Sequence, residues 1–188
     1  MKSNSILTML TALILSFSFV ACSSSNGNDE DDTFDSPKGQ KTLKIDDESL
    51  YAVGCSAEQT KGNGMYLHIR AATDPEYATM GHELTVHIAP SKVSQLNEGD
   101  VFDVDDLSVQ EFRRFNEIVF NTYQWNVLEG NITIKRITSM EMTIQINGLL
   151  LQHKSTGVER TISGTATLDS GVWDSNGKTL SFEEASNL

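Results

Sequence analysis

Met65-Tyr66-Leu67-His68-Ile69-Arg70 alternates apolar and polar side chains without a break. With a period of two, Met65, Leu67 and Ile69 face one way and Tyr66, His68 and Arg70 the other, which predicts a strand with one wet face. The turn-forming residues Lys61-Gly62-Asn63-Gly64 precede it, and Ser49 to Ala57 before them reads as another strand. Beyond it, Ala71 to Gly81 is a loop containing Asp74-Pro75. Glu83 to Ala89 then repeats the alternation, with Leu84, Val86 and Ile88 inward, and Pro90 ends it.

The same period extends in both directions. Leu43 and Ile45 alternate with charged neighbours over Lys41 to Asp46, a half-buried strand. Residues 91–129 are less regular: Asn97-Glu98-Gly99-Asp100 is a turn and Val101 to Val104 a short strand. Val109, Phe112, Phe115 and Val119 have helical spacing. Their β-branched and aromatic character, set among β signals on both sides, predicts strands instead.

Order returns at Gly130, with Asn131 to Lys135 alternating and Met140, Met142, Ile144 and Ile146 sharing a face. Asn147-Gly148 is a hairpin signal, but Leu149-Leu150-Leu151 follows at once, so a bulge or kink inside one long strand is expected. Lys154 to Gly157 turns the chain. Val158, Ile162, Gly164, Ala166 and Leu168 then lie on one face, interrupted by Arg160. A last strand pair is expected around Val172-Trp173 and Thr179 to Phe182, across Asp174 to Gly177. Short strands every ten or so residues, without βαβ spacing, predict an all-β antiparallel β-sandwich, Ig-like or similar, with a partly open barrel as the alternative.

Ahead of this domain the composition changes. Lys2 is followed by sixteen uncharged residues, Ile6 to Ala21, that end at Cys22. A membrane-spanning helix takes about 20 largely apolar residues, so this shorter run, with four Ser or Thr in it, reads as an export signal. From Ser23 to about Lys41 there is too little apolar surface to pack, which marks a tether. The expected organisation is a signal peptide over 1–21, a disordered acidic tether over 22–41 and one all-β domain over 42–188. Loss of residues 1–21 removes only Lys2 among the charged residues, so the formal charge of −12 becomes −13. An acidic chain without a basic cluster is a poor partner for nucleic acid.

Phe19-Val20-Ala21-Cys22 resembles the lipobox of bacterial lipoproteins, in which the signal is cut before a cysteine that takes the lipid; Phe19 stands where Leu or Val is usual. The acidic run Asp29-Glu30-Asp31-Asp32 is similar to the surface-export signal of Bacteroides-type (Bacteroidota) lipoproteins. Together these imply a covalent lipid on Cys22 and anchoring in the outer membrane, with the domain facing the cell exterior. Two or more acyl chains suffice for stable anchoring where one does not. The stretch from Gly130 to Leu168 also resembles the C-terminal hairpins of small lipoproteins of that type. That likeness covers under forty residues and implies a β-sandwich without any chemistry. With Cys22 lipidated, Cys55 has no partner, and its apolar run reads as the place of a small buried hydrophobe.

Catalytic patterns are not found. His82-Glu83-Leu84-Thr85-Val86-His87 looks like H-E-x-x-H, but its histidines are five apart rather than four, and on a strand an odd spacing sends them to opposite faces. All four histidines therefore read as surface or edge residues, and no metal site is expected. Gly99 to Asp106, and Asp169 to Gly171 with Asp174 to Gly177, have the charge for calcium, yet neither has EF-hand spacing and turns use Asp, Asn and Gly for backbone reasons. No G-x-S-x-G elbow or phosphate loop is present. No resident cofactor is expected, and the domain reads as non-catalytic, a binding or structural module. Tyr123 and Trp125, on one strand face among Asn and Gln, and Trp173 are the candidate contacts for a glycan or a host or matrix molecule at the cell surface, with a core role as the competing reading. A structural or partner-binding subunit of an envelope assembly is the alternative.

Overall fold

The computed structural model describes residues 39–76, 80–93, 96–115, 124–172 and 175–186. Its ten strands are β1 (Leu43–Ile45), β2 (Glu48–Ala52), β3 (Ser56–Thr60), β4 (Gly64–Ala72), β5 (Gly81–Ile88), β6 (Val101–Asp103), β7 (Leu107–Arg114), β8 (Trp125–Ile137), β9 (Glu141–His153) and β10 (Glu159–Ser170). They form one sheet in the order β6-β8-β9-β10-β1-β2-β4-β5-β7, with β3 paired to both β10 and β4. The fold is the expected all-β sandwich or barrel, and the pairings β10–β1–β2–β4–β3–β10 close a ring.

The closure comes from a break inside one stretch of chain. Ser49 to Ala57, expected as a single strand, is split at Val53-Gly54-Cys55. Both halves pair with β4, but one extra residue enters between Ala52↔Ala71 and Ser56↔His68. Such a bulge bends a strand. The first half stays beside β1, while the second turns to meet β10 in parallel at Ala57↔Ser170. Cys55 sits in the bulge and is buried. Burial pushes its thiol pKa up.

Gly164 makes the β1–β10 side of the ring possible. A side chain there would place its Cβ 2.0 Å from the Thr42 carbonyl oxygen, and its φ of +120° is one that L residues rarely adopt. The close approach brings Thr42 O within 2.9 Å of the Thr165 N–H, which donates to it.

Inward positions follow the period-two reading. Met65, Leu67 and Ile69 of β4, Leu84, Val86 and Ile88 of β5, and Ile132, Ile134, Met142, Ile144, Ile146, Leu149 and Leu151 of the β8–β9 hairpin are all buried in one core. Full burial of each such side chain contributes about 1.5–3 kcal/mol. Residues 107–114 are strand rather than helix, with Leu107, Val109 and Phe112 inward. Asn147-Gly148 lies in a register shift within the continuous β9, the bulge its sequence predicts.

Further expectations are corrected. Met140 is exposed rather than on the inward face of Met142, Ile144 and Ile146, because it lies in the bend before β9 begins. Val158 is exposed rather than inward, because it belongs to the turn before β10 begins. Among the described residues the last strand pair is represented by an isolated bridge at Thr179 and the bond from Leu180 N–H to Val172 O. Phe182 then opens a short helix, α1 (Phe182–Ser186), packed into the core. Among the described residues no helix is long and apolar enough to cross a membrane. The signal, most of the tether, Cys22 and Asp29 to Asp32 lie outside the described residues.

Candidate functional site

Strand alternation carries His82 to the same side as Leu84, Val86 and Ile88, but at the start of β5, where the core opens to solvent. There its ring stacks on Phe112 of β7, with centroids 5.5 Å apart and planes 14° apart. Phe112 meets Trp125 of β8 edge-on at 5.2 Å, and Trp125 meets His153 of β9 edge-on at 5.0 Å. The described residues of β7 and β8, which share no ladder, are thus joined by side chains. A row of four rings crosses this end of the sandwich.

Beside His82 the row opens into a depression of about 320 Å³. Glu48 contributes from the start of β2, Thr73 from just past β4, Arg114 and Phe115 from the end of β7, and Met80 from the rim. Gly81 lies in its wall because a Cβ at this position would fall 2.0 Å from the Ala71 carbonyl oxygen. The Arg70 guanidinium lies 4.9 Å from the Phe115 ring centroid, in cation–π range. Apolar rings with a few converging polar groups are the usual makeup of a ligand site.

Charges of both signs surround the imidazole. Burial lowers the His82 pKa, with Arg114 and Arg160 pushing the same way and Glu48 and Asp46 opposing. The ring is accordingly neutral at pH 7. Asp46, in the β1–β2 turn, accepts from the Thr161 N–H at 2.9 Å and from Arg160 Nη1 at 2.7 Å. Its partial burial would raise its pKa, but the Thr161 and Arg160 bonds outweigh that and hold it below the usual carboxylate range.

Of the residues proposed from sequence, Trp125 is half-buried and packed against the core cluster, within the ring row. Tyr123 and Trp173 lie outside the described residues. His82 and His87 do face opposite ways: His87 lies on the outer face, 4.7 Å from the Tyr66 ring. It bonds the Asn63 carbonyl through Nε2 and Ser108 Oγ through Nδ1. The histidines are more engaged than surface residues would be. His153, beside Trp125, bonds Gln124 Oε1 at 2.9 Å and accepts from the Thr156 N–H. His68 bonds Thr85.

The acidic loop around Gly99 puts its carboxylates to local use. Asp100 accepts from the Asn97 N–H at 2.8 Å, and Asp106 pairs with Lys92 at 3.2 Å. Among the described residues no group of three or more His, Cys, Asp or Glu is arranged to hold a metal ion.

The constellation of Glu48, His82 and Arg114 escaped the sequence reading, since its members are 34 and 32 residues apart. The available signal was the parity of His82 with Leu84. Comparison of the chain with protein-family models, with curated proteins and with solved structures gives no match.

Proposed function

We propose that this chain is a lipid-anchored protein of the cell envelope whose β domain binds a glycan at the mouth formed by His82, Phe112, Trp125 and His153. The observation that carries the binding reading is the continuity of that ring row with the open depression at Glu48 and Arg114. A pyranose ring presents a flat apolar face edged by hydroxyls, which aromatic rings beside charged acceptors and donors complement. Anchoring rests on Phe19 to Cys22 and outward export on Asp29 to Asp32. The reading assigns the domain no catalytic step.

Two experiments test it. Cys22→Ser should abolish metabolic incorporation of an alkyne fatty acid and release the protein from the membrane fraction; unchanged labelling refutes the anchor. Full-length protein in mild detergent, applied to a broad glycan panel, should bind selectively, and a folded Trp125→Ala variant should lose that binding. Failure across the panel by folded protein refutes the glycan module and favours a structural or partner-binding subunit of an envelope assembly.

A further inference from the structure

Three side chains at the depression keep their donor atoms unengaged. His68, His87 and His153 each hold a hydrogen bond through a ring nitrogen. Among the described residues His82 makes none. Its stacking partner Phe112 covers a face of the imidazole, whereas the nitrogen lone pair lies in the ring plane. Glu48, in the same wall, likewise has no hydrogen bond or ion pair among the described residues. Met80 is 64 % exposed, more than Val101, Leu128, Met140 or Val158. Its carbonyl accepts from Thr73 N–H at 3.1 Å and from Thr73 Oγ1 at 3.4 Å. The backbone is therefore held in place while the thioether packs against no core.

We propose that Met80 and His82 bind a soft monovalent cation, copper(I), through the thioether and an imidazole nitrogen, with Glu48 balancing its charge. Only Gly81 separates the two ligands in sequence, and both line the depression. A thioether is neutral and polarisable, so it selects copper(I) over magnesium or calcium, which take oxygen ligands. Zinc takes thiolate, imidazole and carboxylate, almost always four ligands at a structural site. His82 and Glu48 supply two of that kind, and Met80 adds a donor zinc does not favour. Arg114 shares the wall, and the Glu48 carboxylate offsets its charge as well as that of the ion. The inference is independent of the glycan reading, since a sugar lies on ring faces and the ion meets the His82 ring in its plane.

The test adds silver(I), a redox-inert stand-in for copper(I), to full-length protein in mild detergent and chloride-free buffer. Accessible thiols are first blocked with N-ethylmaleimide. Binding is read by calorimetry and by nuclear magnetic resonance of labelled methionine methyl groups. A single ion should bind, and the methyl signal that moves should be the one missing from Met80→Leu. Met80→Leu and His82→Gln should each weaken binding by more than roughly ten-fold, the lower bound for losing even an outer-shell partner of a metal site. Met140→Leu, at another exposed methionine, and Cys55→Ala, at the buried thiol, should leave binding intact. A cooperative urea transition shows that each variant is folded. Copper(I), competed against bicinchoninate without oxygen, should follow the same order across the variants. Binding that survives Met80→Leu, or that disappears with Cys55→Ala, overturns the inference, as does the absence of binding. Zinc held more tightly than silver overturns the choice of a soft cation.

Discussion

Gly164→Ala tests whether ring closure between β1 and β10 depends on the missing side chain. The new Cβ would lie 2.0 Å from Thr42 O and 2.8 Å from the Leu43 Cα, against ordinary contacts of 3.4 Å and beyond. Strand β1 must therefore retreat by more than an ångström, and the 2.9 Å bond from Thr165 N–H to Thr42 O breaks. An alanine forced to hold φ near +120° costs about 1–3 kcal/mol, and leaving the bonding groups unpaired in a packed sheet adds about 1–3 kcal/mol. The expected loss is about 2–6 kcal/mol. At an m-value of about 2 kcal/mol/M this lowers the urea midpoint by roughly 1–3 M. Gly148→Ala is the control: its φ is +60° but nothing lies within 4 Å of the new Cβ. It should cost only about 1–2 kcal/mol, partly offset by a stiffer unfolded chain. Urea titration followed by tryptophan fluorescence and far-ultraviolet circular dichroism reads both. A Gly164→Ala loss no larger than that of Gly148→Ala would refute the close-approach reasoning.

Two further predictions follow from the charged groups. Asp46→Asn should destabilise the protein by about 1 kcal/mol at pH 7, a charge-assisted bond discounted for the exposure of the pair. Because the folded pKa of Asp46 is held below the ordinary carboxylate value, its contribution is present above about pH 4. It should fade as pH drops through the folded value, so urea midpoints of the two proteins should converge in acid; a constant gap would exclude the carboxylate charge as the cause. His82 has the opposite proton balance from a salt-bridged histidine. Its folded pKa is lowered, chiefly by burial, so between its unfolded value near 6.5 and the folded value the unfolded state holds the extra proton. Stability should therefore fall with pH below about 6.5, with a slope bounded by about 1.4 kcal/mol per unit, and His82→Gln should remove that part of the fall. Identical pH profiles for the two would contradict the assignment.

Alternation by itself determined the strands at the centre of the domain. In Met65 to Arg70 and Glu83 to Ile88 one face is fully buried, and a one-residue slip would expose every inward side chain, so sequence period and structure must agree. The β preference of residues 107–114 was legible for a related reason: β-branched and aromatic residues suit a half-buried pleated surface better than a helix. The bulge at Asn147-Gly148 could be read because three leucines follow it directly and leave no room for a reversal.

Tertiary contact alone decided the rest. The break at Val53 to Cys55 arises because two partners, the neighbouring β1 and the distant β10, share one length of chain, and β10 lies far along the sequence. The short helix at Phe182 replaces a strand pair because its ring finds a place in the core. The site likewise depends on strand pairing far apart in sequence. Glu48, His82 and Arg114 each stand at a strand end with no unusual local sequence, and only the register of β2, β4, β5 and β7 brings those ends together. Periodicity reports which way a side chain faces; which residues share an opening depends on where strands stop and pair, and those are properties of the whole sheet.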